Sequence, residues 1–366
     1  MSYPEDSARS AAPTPQSLAD YKLALQHSPN RADLWFGQGH VLQNLGRPED
    51  ALSSYNCGLA ISPQEGQAWT DRAQVLTQLH RYAEALDSCD RALSLNDRLA
   101  PAWNLRGMIL RQLGHLPEAL QSYEKALTLK PGFYQALNNR GYVLEQLGRW
   151  QDALVSFDQA IALEPDCYQA WHNRGDLLVN LDDNSTALAC YDQVLALKPN
   201  AARTWHHRGH VLYNLQRFEE AVQNYDRALA LRPEQWEIWH HRGHALGQLG
   251  RYGEAINSYD RALELHPEDQ YTAYFRGIAL VHLGYYHEAI ECYDYAIALE
   301  QNNPDFWYNR ATCFALLGNG ERALSSLKVA IALEPRYYLN LVQSDPDFQT
   351  LRDDWRFVHL LEQTQA

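Results

Sequence analysis

The hexapeptide WHHRGH stands at residues 205–210 and returns, letter for letter, at 239–244. The interval is 34 residues, and the same interval spaces Trp35, Trp69, Trp103, Trp171, Trp205, Trp239 and Trp307, with Leu137 and Ala273 at the two missing points of a nine-line grid. Four residues after each point comes a small residue: Gly39, Ala73, Gly107, Gly141, Gly175, Gly209, Gly243, Gly277 and Ala311. Twelve further on an alanine recurs nine times, from Ala51 to Ala323. Most lines then place an aromatic (Tyr55, Tyr123, Phe157, Tyr191, Tyr225, Tyr259, Tyr293) and close near a proline such as Pro63, Pro131 or Pro233.

Each line has a mechanical reading. Apolar residues at helical spacing run to a turn such as Leu-Gly-Arg, where glycine supplies a left-handed cap. A second helix follows and proline stops it. Small residues let the paired helices approach closely, and the aromatic residues fill the space around that contact. One hairpin cannot bury its own apolar face, whereas stacked neighbours can, so the expected fold is a quasi-one-dimensional all-α solenoid.

Composition sets the outer limits. Of 366 residues, 46% are apolar, enough for a core, and the net charge of −14 comes from 45 acidic and 31 basic residues. That balance repels phosphate backbones and anionic membrane faces, which argues against nucleic acid as a primary partner. No stretch of eighteen apolar residues occurs and the N-terminal sequence lacks a basic tip or apolar core, so neither membrane insertion nor secretion is expected. The six cysteines have no CxxC spacing and read as apolar fillers in a reducing compartment, with a cytoplasmic location expected.

On these repeated places the sequence resembles the tetratricopeptide repeat family in its bacterial-type arrays, whose period is 34 residues. The resemblance implies a right-handed superhelical solenoid of helix-turn-helix units. Residues 1–16 read as a disordered tail, 17–31 as a capping half-repeat helix, 32–337 as nine units and 338–366 as C-terminal capping helices. The cap is expected to contain two short helices, started by Ser344 or Asp345 and by Asp353. Ala273, Gln301 and Asp97 depart from the motif, and looser packing is expected near the eighth unit.

An arginine also keeps phase, from Arg72 to Arg310, at a place that is apolar in the common family pattern. A buried guanidinium needs a partner, and the second helices carry a matching acidic series that includes Asp90, Asp158, Asp226 and Asp294. Each arginine is therefore expected to pair with an acid of its own or the preceding repeat, setting register more than adding stability.

Function is expected on the concave surface, which in this family is lined mainly by first helices. Counted from the start of each unit, the thirteenth place is an amide in most units, including Asn180, Asn214 and Gln248, and the sixth supplies Asn139, Asn173, His207, His241 and Asn309. Amides donate and accept, so a file of them can hold an extended peptide by its main chain. His172, His206 and His240 share one place, with Asp176, His210 and His244 one turn on, the spacing that puts two side chains on one helical face. His206, His210, His240 and His244 could bridge a transition metal between neighbouring helices, but no glutamate stands as in HExxH to activate a water. Titration near pH 6.5 is a further possibility for such a wall. Tyr271, Tyr274, Phe275 and Tyr308 fall at or beside groove places and are expected to offer a second, more apolar contact, chiefly through Tyr271 and Phe275.

The expected function is a non-catalytic scaffold or assembly factor holding a protein or peptide in its groove, without a cofactor. The alternative is a metal-binding or pH-sensing carrier on the histidine-rich repeats five to seven. No phosphate loop, GxSxG elbow or zincin motif supports an enzyme. A clamp for the terminal carboxylate of chaperone tails is not expected, because the groove cations Arg111 and Arg203 are isolated.

Overall fold

The computed structural model describes residues 17–363, so the expected tail at 1–16 lies outside the described residues. No strand occurs among the described residues. The chain divides into two compact units, Met1–Leu177 and Leu178–Ala366, and the division falls inside a helix.

The first unit holds α1 (Leu18–His27), α2 (Ala32–Asn44), α3 (Pro48–Ile61), α4 (Gly66–Gln78), α5 (Tyr82–Leu95), α6 (Ala100–Gln112), α7 (Leu116–Leu129), α8 (Tyr134–Gln146), α9 (Trp150–Leu163) and most of α10 (Tyr168–Asn180). The second holds α11 (Asn184–Leu197), α12 (Ala202–Asn214), α13 (Phe218–Leu231), α14 (Trp236–Gln248), α15 (Tyr252–Leu265), α16 (Gln270–His282), α17 (Tyr286–Leu299), α18 (Pro304–Leu316) and α19 (Gly320–Leu333). Then come α20 (Pro335–Ser344), a 3-10 turn at Pro346–Leu351 and α21 (Trp355–Gln363). From α2 onward, even-numbered helices up to α18 are first helices of a repeat and odd-numbered ones up to α19 are second helices.

Each first helix ends in a left-handed residue. Glycine takes that place at Gly46, Gly114, Gly148, Gly250, Gly284 and Gly318, with φ between 68° and 82°. At Gly46 the turn closes with Arg47 N–H donating to the Leu42 carbonyl (3.0 Å) and Gly46 N–H to that of Gln43 (3.1 Å), satisfying carbonyls the helix leaves open. His80, Asp182 and Gln216 hold the same conformation without glycine, at φ 57° to 62°. Each such residue costs roughly 1–2 kcal/mol of side-chain crowding.

Within a hairpin, the ring at the end of the motif lies on the backbone of the small residue. A Cβ added at Gly107, Gly141, Gly209, Gly243 or Gly277 would stand 2.5–2.7 Å from the ring of Tyr123, Phe157, Tyr225, Tyr259 or Tyr293. The two places vary together. Where Ala73 and Ala311 carry a Cβ, the residue sixteen on shrinks to Cys89 and Leu327, all four fully buried. Cys89 thus fills the gap that the sequence assigned to an apolar filler, and burial pushes its thiol up to about 12.

Neighbouring repeats are tied by polar bonds at fixed register. The tryptophan indole N–H donates to the carbonyl six residues back, at the end of the previous repeat: Trp35 to Pro29, Trp69 to Pro63, Trp171 to Pro165, Trp205 to Pro199 and Trp239 to Pro233, at 2.8–2.9 Å. Trp103 and Trp307 make the bond to Asp97 and Gln301, so the lost prolines cost nothing here, because the acceptor is main chain. At the eighth repeat, where Ala273 replaces tryptophan, the Tyr295 hydroxyl donates to the Pro267 carbonyl instead (3.0 Å). Ala273 itself is buried among Tyr274, Phe306 and Trp307, so no opening is left at the missing indole.

Six of the eight arginines pair as expected, with an acid of the preceding repeat, whereas Arg72 bonds Asn56 and Ser88 and Arg140 bonds Ser156 and Gln159 instead. Arg242 Nε donates to Asp226 Oδ1 (2.7 Å) and its Nη1 to Ser258 Oγ of its own second helix (2.7 Å). Arg106 bridges Asp90 and Ser122 in the same way, and Arg208 bridges Asp192 and Asn224. Four of these guanidinium groups also sit over the tryptophan one turn earlier, as Arg242 does over Trp239 at 5.9 Å.

The ends of the array are covered. Ser17 and Asp20 form a reciprocal capping box at the start of α1, which lays Tyr21 against Gly37. At the other end Phe348, Leu351 and Phe357 are buried in the last core cluster, with Leu341, Leu360 and Leu361 packed partly against it. The 3-10 turn starts at Asp345 and α21 just after Asp353, near the places expected. The structure adds α20, because Pro335 both ends α19 and supplies the pre-set first residue of the next helix.

Two outcomes follow. Gly243→Ala forces the Tyr259 ring aside and lowers stability by about 1–3 kcal/mol despite its better helix propensity; adding Tyr259→Leu, the Ala311/Leu327 solution, restores part of that loss in urea unfolding. Arg242→Met costs about 1–2 kcal/mol, not the larger penalty of a stranded buried charge, because Asp226 is half exposed and Ser258 keeps its bond to the Glu254 carbonyl.

Candidate partner-binding site

First helices of successive repeats touch one another directly in the second unit, α12 with α14, α14 with α16 and α16 with α18. The residues singled out from the sequence lie on this row and on α8 and α10. Their most regular feature was not read from the sequence. The side chain at the sixth place of a repeat bonds to that at the fifth place of the repeat before, 35 residues earlier.

Asn139 Nδ2 donates to Asn104 Oδ1 (3.2 Å) and Asn173 Nδ2 to Asn138 Oδ1 (2.9 Å) in the first unit. In the second, His206 Nε2 and His241 Nδ1 lie 2.8 Å apart, and Asn309 Nδ2 donates to Tyr274 Oη (3.1 Å). Asn104 and Asn138 are therefore members of the wall, and only the 35-residue offset between two polar places could have signalled them. Each sixth-place amide has a committed donor and keeps its carbonyl for a ligand, and Asn309 also spends its second N–H on the Asp305 carbonyl (2.9 Å). The thirteenth-place residues Asn180, Asn214 and Gln248 are exposed.

The histidines form a continuous set of ring contacts. His206 and His241 lie 5.1 Å apart, His210 and His241 5.6 Å, and His240 and His244 4.5 Å between ring centres. His207 meets the Tyr191 ring edge-on at 6.3 Å. The His240 Nδ1 lies 2.5 Å from the Thr272 hydroxyl. That hydroxyl's single proton goes to the Asp269 carboxylate, so His240 Nδ1 is the donor. In the first unit, His172 Nε2 stands 3.4 Å from Asp176 Oδ2, one turn on.

Burial, reinforced by neighbouring imidazoles, pushes His206 down to about 4, His244 to about 3 and His241 to about 2. His240 is also lowered by burial, with Asp269 opposing. Burial sets His206, His241 and His244 below the expected titration near pH 6.5, because a charged imidazole there would lose its water. Of the metal candidates, His206, His210, His240 and His244 do not bring three ligand atoms within 4.8 Å of one another. Instead His206 is bonded to His241, and the His244 ring centre is 3.9 Å from that of Phe275.

The expected aromatic contact is narrower than the sequence suggested. Tyr271 is 44% exposed. Tyr274 is tied to Asn309, and Tyr308 is buried with its hydroxyl donated to Asp345 Oδ2 (2.5 Å). Phe275 faces back onto His240 and His244. Tyr274 and Tyr308 are thus core groups whose polar tips found partners.

Comparisons with known proteins agree with this architecture. Tetratricopeptide repeat models match residues 36–104, 100–133, 134–167, 168–201 and 236–269, and a TPR repeat model matches 209–250 and 277–318. No curated protein matches the chain. Among solved structures, the C-terminal part of a TPR repeat-containing protein from Cytophaga hutchinsonii aligns with a TM-score of 0.55 at 17% identity, over 64% of this chain and 97% of that one. A tetratricopeptide repeat protein from Parabacteroides merdae aligns at 0.50 and 18% identity, over 73% and 99%. YrrB, described as a TPR protein with an unusual peptide-binding site, aligns at 0.47 and 26% identity, over 51% and 97%. This fold generally binds protein or peptide partners and is typically not catalytic, and no helix among the described residues is long and apolar enough to cross a membrane. The repeated tryptophan, glycine, alanine and aromatic places, the helical hairpins they build and these matches make the chain a member of the tetratricopeptide repeat family.

Proposed function

We propose that the first-helix row of the second unit holds an extended segment of a protein partner, and that the protein acts as a cytoplasmic scaffold or assembly factor. The observation that carries this reading is the neutral wall of α12 and α14. His206 and His241 are kept uncharged by burial and oriented by each other, and exposed Asn214 and Gln248 stand on the same helices. Neutral donors and acceptors of this kind pair with main-chain amides and impose little sequence preference. Preorganisation by cross-repeat bonds lowers the ordering cost of binding.

Cations suited to a terminal carboxylate are few on these faces, and Arg111 is stacked on the Tyr142 ring at 4.9 Å, which argues against a chaperone-tail clamp. The described cysteines are free thiols, five of them buried, in keeping with a reducing compartment.

Replacing Asn180, Asn214 and Gln248 together by alanine removes exposed groups only, so the melting temperature stays within a few degrees while capture of the partner from the source cell falls by about tenfold or more. Equal capture by the triple variant overturns the proposed face. The depressed imidazoles also set a pH signature. The unfolded chain takes up protons near pH 6.5, whereas folded His206 resists until about 4, so stability is full above 6.5 and declines as pH falls through that window. The melting temperature should therefore drop between pH 6.5 and 4, less steeply in a His206→Asn/His241→Asn variant that copies the Asn138–Asn173 pair, while partner affinity stays level from pH 7.5 to 6.5. An affinity midpoint near 6.5 would reinstate the pH-sensing alternative.

A further inference from the structure

The second unit contains a cavity of about 350 Å³ between α14, α15 and α16, bordered by His244, Gly247, Gln248, Phe275 and Ile278, with Tyr252 and His282 at its rim. Its origin is a single missing side chain. In two other repeats a large residue at the twelfth place covers the ninth place of the next repeat. Arg111 lies over Tyr142 at 4.9 Å, and the Tyr213 ring stands 6.5 Å from that of His244. In the seventh repeat that twelfth place is Gly247, and its successor Ile278 is left open to the cavity. A Cβ built on Gly247 meets nothing within 4 Å, so close packing does not demand glycine there. Nor does the backbone, since Gly247 sits inside α14 and is not among the residues of positive φ. A helix-interior glycine with neither reason is unfavourable for the fold and is explained by the space it leaves.

The walls define what fits. Phe275 and His244 meet edge to face, and Tyr252 stacks on His282 at 4.3 Å and 7°, so aromatic surfaces are held rigidly at two sides. The bordering residues include no carboxylate, lysine or arginine, although the chain as a whole carries −14, so a charged group entering would lose its hydration without a counter-ion. One polar atom is left over: His244 Nε2 is buried without a hydrogen-bond partner. Burial holds this imidazole neutral well below pH 7, so Nε2 is either a bare acceptor or an N–H donor according to tautomer. A hydroxyl satisfies both cases, and an indole N–H or an aliphatic side chain does not.

We propose that this cavity is an anchor pocket for one tyrosine side chain of the bound protein segment, its ring between Phe275 and Ile278 and its hydroxyl on His244 Nε2. The assignment rests on the reading that this row of helices holds a protein partner, and it adds the residue by which that partner is gripped. Exposed Tyr271 lies one turn before Phe275 on α16 and continues the surface beyond the pocket mouth. The site would give a sequence preference at one position to a wall that otherwise reads main chain.

The test uses the full chain and saturation-transfer NMR with N-acetyl-tyrosinamide as probe. Saturation of its ring protons should exceed that of N-acetyl-phenylalaninamide by roughly fivefold, the worth of one hydrogen bond to a buried group, and N-acetyl-lysinamide should give none. Gly247→Tyr, which copies Tyr213, and Gly247→Val, which copies Val179 and Val281, should each abolish the signal with an unchanged or higher melting temperature. His244→Phe should keep the ring signal and erase the preference for tyrosine over phenylalanine. Equal saturation of the wild type and both plugged variants overturns the pocket, as does a lysine probe that matches the tyrosine probe. A partner captured equally by wild type and Gly247→Val, yet lost from the Asn180/Asn214/Gln248 variant, overturns the anchor and leaves the scaffold reading intact.

Discussion

An aromatic ring resting on a bare glycine backbone is the constraint from which the hairpin follows. With Tyr225 on Gly209 or Tyr259 on Gly243, no Cβ fits between the helices, and the ring becomes fully buried by covering main chain instead of side chain. The approach is close enough that the pair must be treated as one unit. Ala73 with Cys89 and Ala311 with Leu327 answer an added Cβ on one side of the contact with a smaller side chain on the other. Stacking then has no freedom in depth, and each hairpin offers the next the same surface.

Depth is not register, and a stack of similar apolar faces could slide. Two polar devices fix it. The indole N–H reaches a carbonyl of the previous repeat, and the arginine reaches an acid of that repeat and a hydroxyl or amide of its own. Because the acid is half exposed, the ion pair contributes little net energy. Its value lies in the cost of being one turn out of step, when a mostly buried guanidinium would lose both partners. The substitution of Tyr295 for the absent indole at Pro267 supports this view: the bond is retained although the residue that makes it changes helix.

The same cross-repeat logic shapes the candidate site. Polar groups at the fifth and sixth places satisfy one another first, so the wall is a set of half-used donors and acceptors with fixed orientation. Burial then decides the chemistry of the histidines. Burial and neighbouring imidazoles hold His206 and His241 neutral well below pH 6.5, which keeps them as hydrogen-bonding surface. Where one repeat omits its covering side chain, at Gly247, this wall acquires depth.

Period, helix pairing, turn chemistry, the caps and the acidic partners of most arginines were legible in the sequence, because each depends on contacts at constant separation along the chain. A repeat displays its neighbours' contacts as its own spacing. Three matters belonged to tertiary structure alone. Burial of the imidazoles is set by what α12, α14 and α16 pack against, and composition at a helical place does not state it. Tyr274 and Tyr308 turned inward because Asn309 and Asp345 lay within reach of their hydroxyls, the second from outside the repeat register. The cavity beside Gly247 is a difference between repeats, visible only when the side chain that covers the equivalent space elsewhere has been seen in place, since a hole has no residue of its own to be read.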